Sequence, residues 1–268
     1  MYINLFDSHV HSDNSPEGRD LVTALCSAAV DKGISGICIT DACDMEEFEE
    51  QKYGKRLMYS CFAAHKAQDI FSQQLIVTNG VEMCQPLADP DRAVQVIGEN
   101  RFDFVLGSLH KTRKYGDMMM LNYAHPALDL QDVFRSYYEE LLEVVQWGHF
   151  DSLAHLGYPL RYLKPYNRTV DLAQIDDVFA EIMKSLVAQG KALELNTGGL
   201  RMEIEAFTPS NKYLYKDYGG EIITIGSDAE CCNDIGCDIQ AGLELLKSVG
   251  FKYFTVYKNR QPVMLRLL

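Results

Sequence analysis

The sequence has no run of about 18 apolar residues, so we expect no membrane-spanning helix and no membrane partner. Basic residues are few: 25 Lys and Arg stand against 38 Asp and Glu, for a formal net charge of −13. An acidic surface disfavours nucleic acid as a partner, because phosphate-backbone binding requires a basic face. A small phosphorylated substrate needs only local positive charge and is not excluded.

A regular cysteine framework is also missing, since the eight cysteines follow no fixed spacing. The first residues lack the basic and apolar regions of a secretory signal. We therefore expect reduced thiols in a cytoplasmic protein. Repeats, low-complexity tracts and linkers are absent from the sequence too, so we interpret residues 1–268 as one domain.

Seven apolar, strand-like runs are each followed by His, Asp, Glu or Asn. They cover residues 3–6, 36–40, 75–81, 104–109, 152–154, 192–195 and 222–227. Helical patterns separate them, at residues 20–32, 55–74, 90–99, 130–147, 175–189 and 241–249. Reactive side chains at strand ends predict an α/β barrel with its site at the C-terminal face.

Two long loops and one further strand complete the predicted elements. Residues 111–128 and 157–170 read as irregular loops, and the length of the first suggests a cover over the site. Residues 251–257 alternate as a final strand.

His9 and His11 give the sharpest chemical signal. At a spacing of two on a strand, both side chains point to one face, so both imidazoles can reach one ion. Imidazole and carboxylate groups recur at other strand ends, at His110, His155, Glu82 and Asp228. The two oxygens of a carboxylate can bridge two ions, so the pattern predicts a metal centre around a bridging Glu82.

Other polar residues receive secondary interpretations. Asp7 and Asp41 are candidates for hydrogen-bond acceptors that orient the ligating histidines. His65 lies within a predicted helix and is interpreted as structural, whereas His125 and His149 lie in or beside loops and are left open.

The order of these motifs resembles the polymerase and histidinol phosphatase (PHP) family. The motifs are His-x-His, Thr-Asp, Gly-x-Glu, Gly-Ser-x-His, Ala-His, Glu-x-Asn and Gly-Ser-Asp-Ala. The resemblance spans nearly the whole chain, and residues 196–201 with 255–262 most resemble its histidinol-phosphatase branch. It implies a distorted (β/α)7 TIM-like barrel with two or three divalent ions, which are Mn, Zn or Fe.

The resemblance also implies a set of ligands. The first ion would be held by His9, His11, Glu82 and Asp228, and the second by Glu82, His110 and His155. The positions for a third ion read Glu17, Ala42 and Glu230, so two expected imidazoles are absent. Either the centre is dinuclear or Glu17 and Glu230 hold a harder ion, with Cys43 or Asp44 as a substitute ligand.

Such a centre implies a metal-dependent phosphatase acting on a small phosphate monoester. By the same resemblance, L-histidinol phosphate is the best candidate substrate, and we expect its hydrolysis by attack of a metal-bridging hydroxide. We expect catalytic roles for Glu82, Asp228 and His110. Arg161, Arg201 and, more weakly, Lys111 follow strand ends, where a cation could bind phosphate.

Alternatives stay open at this point. The chain could be a PHP phosphoesterase with another substrate, or a degenerate metal-binding protein that lost activity through Ala42 and Glu230. The acidic balance disfavours a nuclease or proofreading module, and no strand end offers the lysine of a typical amidohydrolase. The oligomeric state is open as well.

Overall fold

A computed structural model describes residues 5–201 and 215–267. Its strands are β1 (Phe6–Val10), β2 (Gly36–Ile39), β3 (Ala42–Asp44), β4 (Ile76–Cys84), β5 (Phe104–Ser108), β6 (Lys111–Thr112), β7 (Gly116–Asp117), β8 (Ser152–Leu153), β9 (Ala192–Asn196), β10 (Ile223–Gly226), β11 (Tyr253–Lys258) and β12 (Gln261–Arg266). Its α-helices are α1 (Val22–Asp31), α2 (Tyr53–Phe71), α3 (Pro90–Glu99), α4 (Leu130–Trp147), α5 (Asp176–Ala188), α6 (Thr197–Arg201) and α7 (Ile239–Ser248).

Seven parallel strands form the barrel wall in the order β1-β2-β4-β5-β8-β9-β10. A parallel bridge between Val10 and Ala229 brings the last strand back to the first, so the barrel is nearly closed. The α/β barrel predicted from the strand ends is confirmed. All C-terminal strand ends therefore meet at one face.

The long strand β4 explains the distortion of the barrel. Its first half pairs with β2, and its second half pairs with β3, where Ala42 lies opposite Glu82 in the register. The second predicted strand, residues 36–40, is thus followed by a short extra strand. This places Ala42 directly beside the residue expected to bridge two ions.

Helix α4 shows how local sequence produces these elements. Its apolar positions Val133, Phe134, Tyr137 and Leu141 recur every three or four residues and are buried. Gly148 ends the helix at φ 69°, a left-handed conformation that glycine adopts without strain. The predicted bounds of α3 and α4 agree with the structure, and those of the other long helices differ by one to three residues.

The predicted final strand is the first half of a hairpin. Strands β11 and β12 pair antiparallel around Asn259 and Arg260, both of which have positive φ. The second strand was missed because a Gly, the usual signal of such a turn, is lacking. Contacts of Lys258 and Arg260 with Asp103 and Asp151 hold the hairpin at the N-terminal end of the barrel strands.

The two segments predicted as loops contain short elements. Residues 111–117 form the hairpin β6–β7, and Met118 in the following turn is buried. Tyr158–Tyr162 and Lys164–Tyr166 form 3-10 turns after β8. Residues 3 and 4, which the pattern assigns to the first strand, lie outside the described residues. Within the described residues, no helix is long and apolar enough to cross a bilayer.

Candidate metal centre

Three side chains from the two ends of the barrel wall form the first cluster. His9 and His11 at the end of β1 are buried, and their Nε2 atoms lie 3.0 Å apart. Asp228 follows β10, and its Oδ1 lies 3.4 Å from Nε2 of His9 and 3.3 Å from Nε2 of His11. Asp228 has φ 58°, an uncommon conformation of the kind that functional sites often retain.

The second cluster joins the middle strands of the barrel. Glu82 on β4 places its Oε1 2.8 Å from Nε2 of His155 and 3.3 Å from Nε2 of His110. The two Nε2 atoms are 3.2 Å apart. The other oxygen of Glu82, Oε2, lies 3.7 Å from Nε2 of both His9 and His11. The carboxylate therefore faces one cluster with each oxygen.

The donor sets fit divalent cations. In each cluster, at least three imidazole or carboxylate ligand atoms lie within 4.8 Å of one another. Buried nitrogen and oxygen atoms that converge at this spacing repel one another unless a proton or cation lies between them. Imidazole with carboxylate suits Zn, Mn and Fe alike, so the donors do not select one ion.

Electrostatics favour ionised carboxylates in both clusters. Burial raises the pKa of Glu82, but neighbouring imidazoles, above all His110, outweigh it and hold this pKa well below its usual range. Burial also raises the pKa of Asp228, and His9 with its neighbours likewise holds it well below normal. Carboxylates that stay ionised are ready to bind a cation.

The pKa values of two histidines in the clusters, His9 and His155, shift in opposite directions. Burial lowers the pKa of His9, yet Glu194 and Asp228 overcome this and raise it well above its usual value. For His155 the burial effect dominates and lowers the pKa, although Glu82 opposes it.

The residues predicted for a third ion are only partly gathered. Oε1 of Glu17 lies 3.3 Å from Nδ1 of His11, and Glu17, His11 and Glu82 form a third group within 4.8 Å. Ala42 is buried and contributes a methyl group. Glu230 is half-buried, and its Oε2 lies 3.7 Å from Nη2 of Arg19. The described residues thus offer carboxylates here, but a single imidazole that the first cluster also uses.

Neither proposed substitute ligand joins this group. Cys43 is buried within the apolar core. Oδ2 of Asp44 lies 3.1 Å from Nζ of Lys111, which also contacts Glu46 and Glu47. Lys111 is therefore already surrounded by three carboxylates.

The prediction that Asp7 and Asp41 orient the ligating imidazoles is wrong. Asp7 accepts hydrogen bonds from the backbone and hydroxyl of Ser227. Asp41 accepts from Ser12 and from the hydroxyl of Ser60. Both carboxylates hold the chain after a strand end instead of an imidazole.

A cavity of about 430 Å³ opens over both clusters, and Arg161 and Lys111 line it. The largely buried Arg161 places Nη2 3.3 Å from Oδ2 of Asp228, and its guanidinium carbon lies 4.9 Å from the centroid of the Tyr158 ring. Arg201 donates to the carbonyl of Ser227 and is not among the described residues that line the cavity. Of the three candidate cations, Arg161 is the one with an ion pair to a residue of the clusters among the described residues.

The remaining histidines lie away from both clusters. His65, His125 and His149 are exposed, and Nδ1 of His65 lies 2.7 Å from the carbonyl of Cys61 within α2, which agrees with a structural role. Sequence reasoning gave no role to Glu194, although its charge interrupts the apolar run 192–195. In the structure, Oε1 of Glu194 lies 2.7 Å from Nδ1 of His9.

Known proteins resemble this chain along most of its length. One curated relative is the probable histidinol-phosphatase of Thermotoga maritima, which is 29% identical over 94% of this chain and 95% of its own length. Another is the histidinol-phosphatase of Lactococcus lactis, which is 27% identical over 94% of each chain.

Solved structures share the fold. One is the histidinol phosphate phosphatase of Lactococcus lactis in complex with zinc, L-histidinol and phosphate, with a TM-score of 0.81 and 22% identity, covering 98% of this chain and 100% of that one. Another is the putative histidinol phosphatase of Listeria monocytogenes, with a TM-score of 0.71 and 17% identity over 88% of this chain and 99% of that one. The family pattern of the PHP domain itself matches residues 7–198, from the strand that carries His9 to the helix after β9. With its strand-end histidines and carboxylates in this order, the chain belongs to the PHP domain family.

Proposed function

We propose that this protein is a metal-dependent phosphatase that hydrolyses a small phosphate monoester. The observation that carries the proposal is the position of Glu82, whose two oxygens face two separate groups of imidazoles. A carboxylate with one oxygen toward each group can hold two cations close together, and paired cations stabilise the attacking and leaving oxygens in phosphoryl transfer.

L-histidinol phosphate is the substrate we propose. The relatives of similar length are named histidinol-phosphatases, and the similar Lactococcus lactis structure holds L-histidinol and phosphate. The cavity of about 430 Å³ is in the range of small-molecule sites. A cytoplasmic location belongs to the same proposal and is supported by eight cysteines without a disulfide.

We assign the first ion to His9, His11, Glu82 and Asp228, and the second to Glu82, His110 and His155. Such ions would lower the pKa of a bound water and neutralise the charge that develops on phosphoryl oxygens. Mn, Zn or Fe fits this set. A third ion would rely on Glu17 and Glu230 without the imidazole that Ala42 lacks, so we propose two occupied sites.

The chain's own contribution to phosphate binding is assigned to Arg161. Its guanidinium lines the cavity beside Asp228 and can donate two hydrogen bonds to phosphate oxygens through its planar fork. The guanidinium carbon of Arg161 lies over the Tyr158 ring, and this cation–π contact helps to hold the side chain in the cavity. Lys111 is a weaker candidate because three carboxylates already neutralise it, and Arg201 is weaker still because it binds a backbone carbonyl.

The proposal is tested by measuring phosphate release from histidinol phosphate, phosphoserine and glycerol phosphate with zinc- or manganese-loaded protein. We expect the highest kcat/KM with histidinol phosphate. His110→Gln removes a ligand and should reduce activity more than the 10- to 100-fold typical of a residue behind a ligand. His125→Gln, at an exposed histidine, is the matched control. Metal-loaded protein that hydrolyses none of these esters contradicts the proposal.

Ala42 and Glu230 favour one competing function, a metal-binding protein with reduced activity. That function predicts bound metal with little turnover, and recovery in the double variant Ala42→His, Glu230→His. If the unmodified protein turns over histidinol phosphate efficiently, the competing function is excluded.

A further inference from the structure

Glu194 is a charged residue in the middle of a strand that is otherwise apolar. Its side chain is fully buried, with 0% exposure, in the barrel wall. Removing a carboxylate from water costs several kcal/mol, roughly, unless hydrogen bonds replace its hydration. The position of its partners therefore indicates what the charge is for.

The carboxylate touches both halves of the metal centre. Its Oε1 lies 2.7 Å from Nδ1 of His9, in the first cluster. Its Oε2 accepts from the backbone N–H of His155, in the second cluster, at 2.8 Å. The same oxygen accepts from Nδ2 of Asn196 at 3.1 Å, and that amide also lies 3.3 Å from Oδ2 of Asp228.

The chemistry of these contacts sets the proton position on His9. An ionised carboxylate only accepts hydrogen bonds, so the proton of a neutral His9 must lie on Nδ1. Nε2, which faces His11 and Asp228, then presents its lone pair. A metal-ligating imidazole needs this arrangement.

His155 is held differently. Its Nδ1 is buried without a hydrogen-bond partner in the described part of the chain, so no such contact orients its ring. Glu194 instead holds the backbone of His155.

A neighbouring strand makes room for the contact. A Cβ atom at Gly226 would lie 2.3 Å from Cβ of His9 and 2.8 Å from Oε1 of Glu194. Both distances are too short for any side chain, so the glycine on β10 lets His9 and Glu194 meet. Residues of three strands, β1, β9 and β10, therefore contribute to the contact between His9 and Glu194.

We propose that Glu194 is a positioning residue that fixes the tautomer of His9, so that Nε2 of His9 is free to bind the first ion. This inference rests on the proposed metal centre and names a residue that acts behind its ligands. It is independent of which phosphate ester is hydrolysed.

Glu194→Gln tests the inference. An amide has one accepting oxygen and one donating nitrogen. If its nitrogen faces His9, it donates to Nδ1 and favours the tautomer with the proton on Nε2, which cannot bind the ion; if its nitrogen faces His155, it opposes the backbone N–H. We expect zinc affinity at the first cluster to fall 10- to 100-fold, measured by chelator competition on folded protein. Asp151→Asn is the matched control, because Asp151 is also a buried hydrogen-bonded carboxylate but lies at the opposite end of the strands. Its zinc affinity should be unchanged.

Variants in which only one cluster is intact show whether Glu194 acts on His9 or stabilises the whole metal centre unspecifically. In a His110→Gln background, which retains the first cluster, Glu194→Gln should still weaken zinc binding 10- to 100-fold. In a His9→Gln background the further loss should be less than about threefold, because interacting residues are not additive. Equal losses in the two backgrounds, or wild-type affinity in Glu194→Gln, overturn the inference.

If Glu194→Gln does not fold, Glu194→Asp replaces it. Aspartate still accepts only, but it is one methylene shorter and cannot span His9 and His155. A smaller, first-cluster loss supports the inference, and unchanged affinity overturns it. Wild-type protein that binds zinc without phosphatase activity contradicts the proposed function alone, whereas wild-type protein that binds no zinc overturns both.

Discussion

Arg161 is the residue through which the chain itself contacts a phosphate in our proposal. Arg161→Met removes the guanidinium that lies beside Asp228 in the cavity. A charge-assisted hydrogen bond contributes about 1.5–3 kcal/mol, so kcat/KM for histidinol phosphate should fall roughly 10- to 100-fold. Arg161→Lys should recover only part of this, since an ammonium lacks the planar fork.

Arg135→Met is the control for this measurement, because Arg135 is exposed and pairs with Asp177 on the outer helices. Its kinetic constants should match those of the wild type. An Arg161→Met enzyme with unchanged kcat/KM would assign phosphate binding to another group.

The cysteines differ in reactivity by position. Burial raises the pKa of Cys26 to about 12, and it also raises the pKa of Cys38 and Cys43. A raised thiol pKa leaves less thiolate at pH 8, and burial blocks access as well. We expect iodoacetamide to modify the half-buried Cys231 and Cys237 first, as read by mass spectrometry. Early modification of Cys38 in native protein would contradict this, and all eight should react after denaturation.

At the scale of the element, α4 begins with a side-chain cap. Asp129 accepts hydrogen bonds from the backbone N–H groups of Gln131 and Asp132. Asp129→Ala should lower the free energy of unfolding by about 1 kcal/mol, with a fall in Tm of roughly 2–4 °C for a chain of this size. Asp129→Asn keeps an accepting oxygen and should retain most of the stability. Equal losses in both variants, read by thermal and urea unfolding, would show that the cap is not the cause.

Helices and strands could be predicted from the sequence better than the contacts between their side chains. The 3.6-residue period of α4 and the apolar strand runs report local burial, which each segment shows in its own residues. The hairpin β11–β12 was half missed, since its turn uses Asn259 and Arg260 at positive φ without a glycine. The extra strand β3 follows so closely after β2 that no turn signal separates them.

For the whole molecule, metal binding should appear as stability. A ligand that binds only the folded state at 100 times its Kd adds about 2.7 kcal/mol. Zinc should therefore raise the Tm of metal-free protein by roughly 5–10 °C per ion, and a chelator should reverse it. His125→Gln should behave as wild type in differential scanning calorimetry, and His110→Gln should lose part of the shift. The absence of any shift would contradict a metal centre.

By itself, the sequence determined the kind of site. His9 and His11 lie two residues apart on one strand, and most of the other strand ends carry His or a carboxylate, so the donors and their common face follow from the order of the elements. Only the tertiary structure decided which polar groups meet. The Glu194 carboxylate reaches the His9 imidazole across 185 residues, whereas Asp7, two residues from His9, accepts from the backbone N–H of His9 and from Ser227 and not from the imidazole. Local periodicity reports which face of a strand is buried, but a hydrogen bond depends on the distance between two atoms, and closure of the barrel sets that distance.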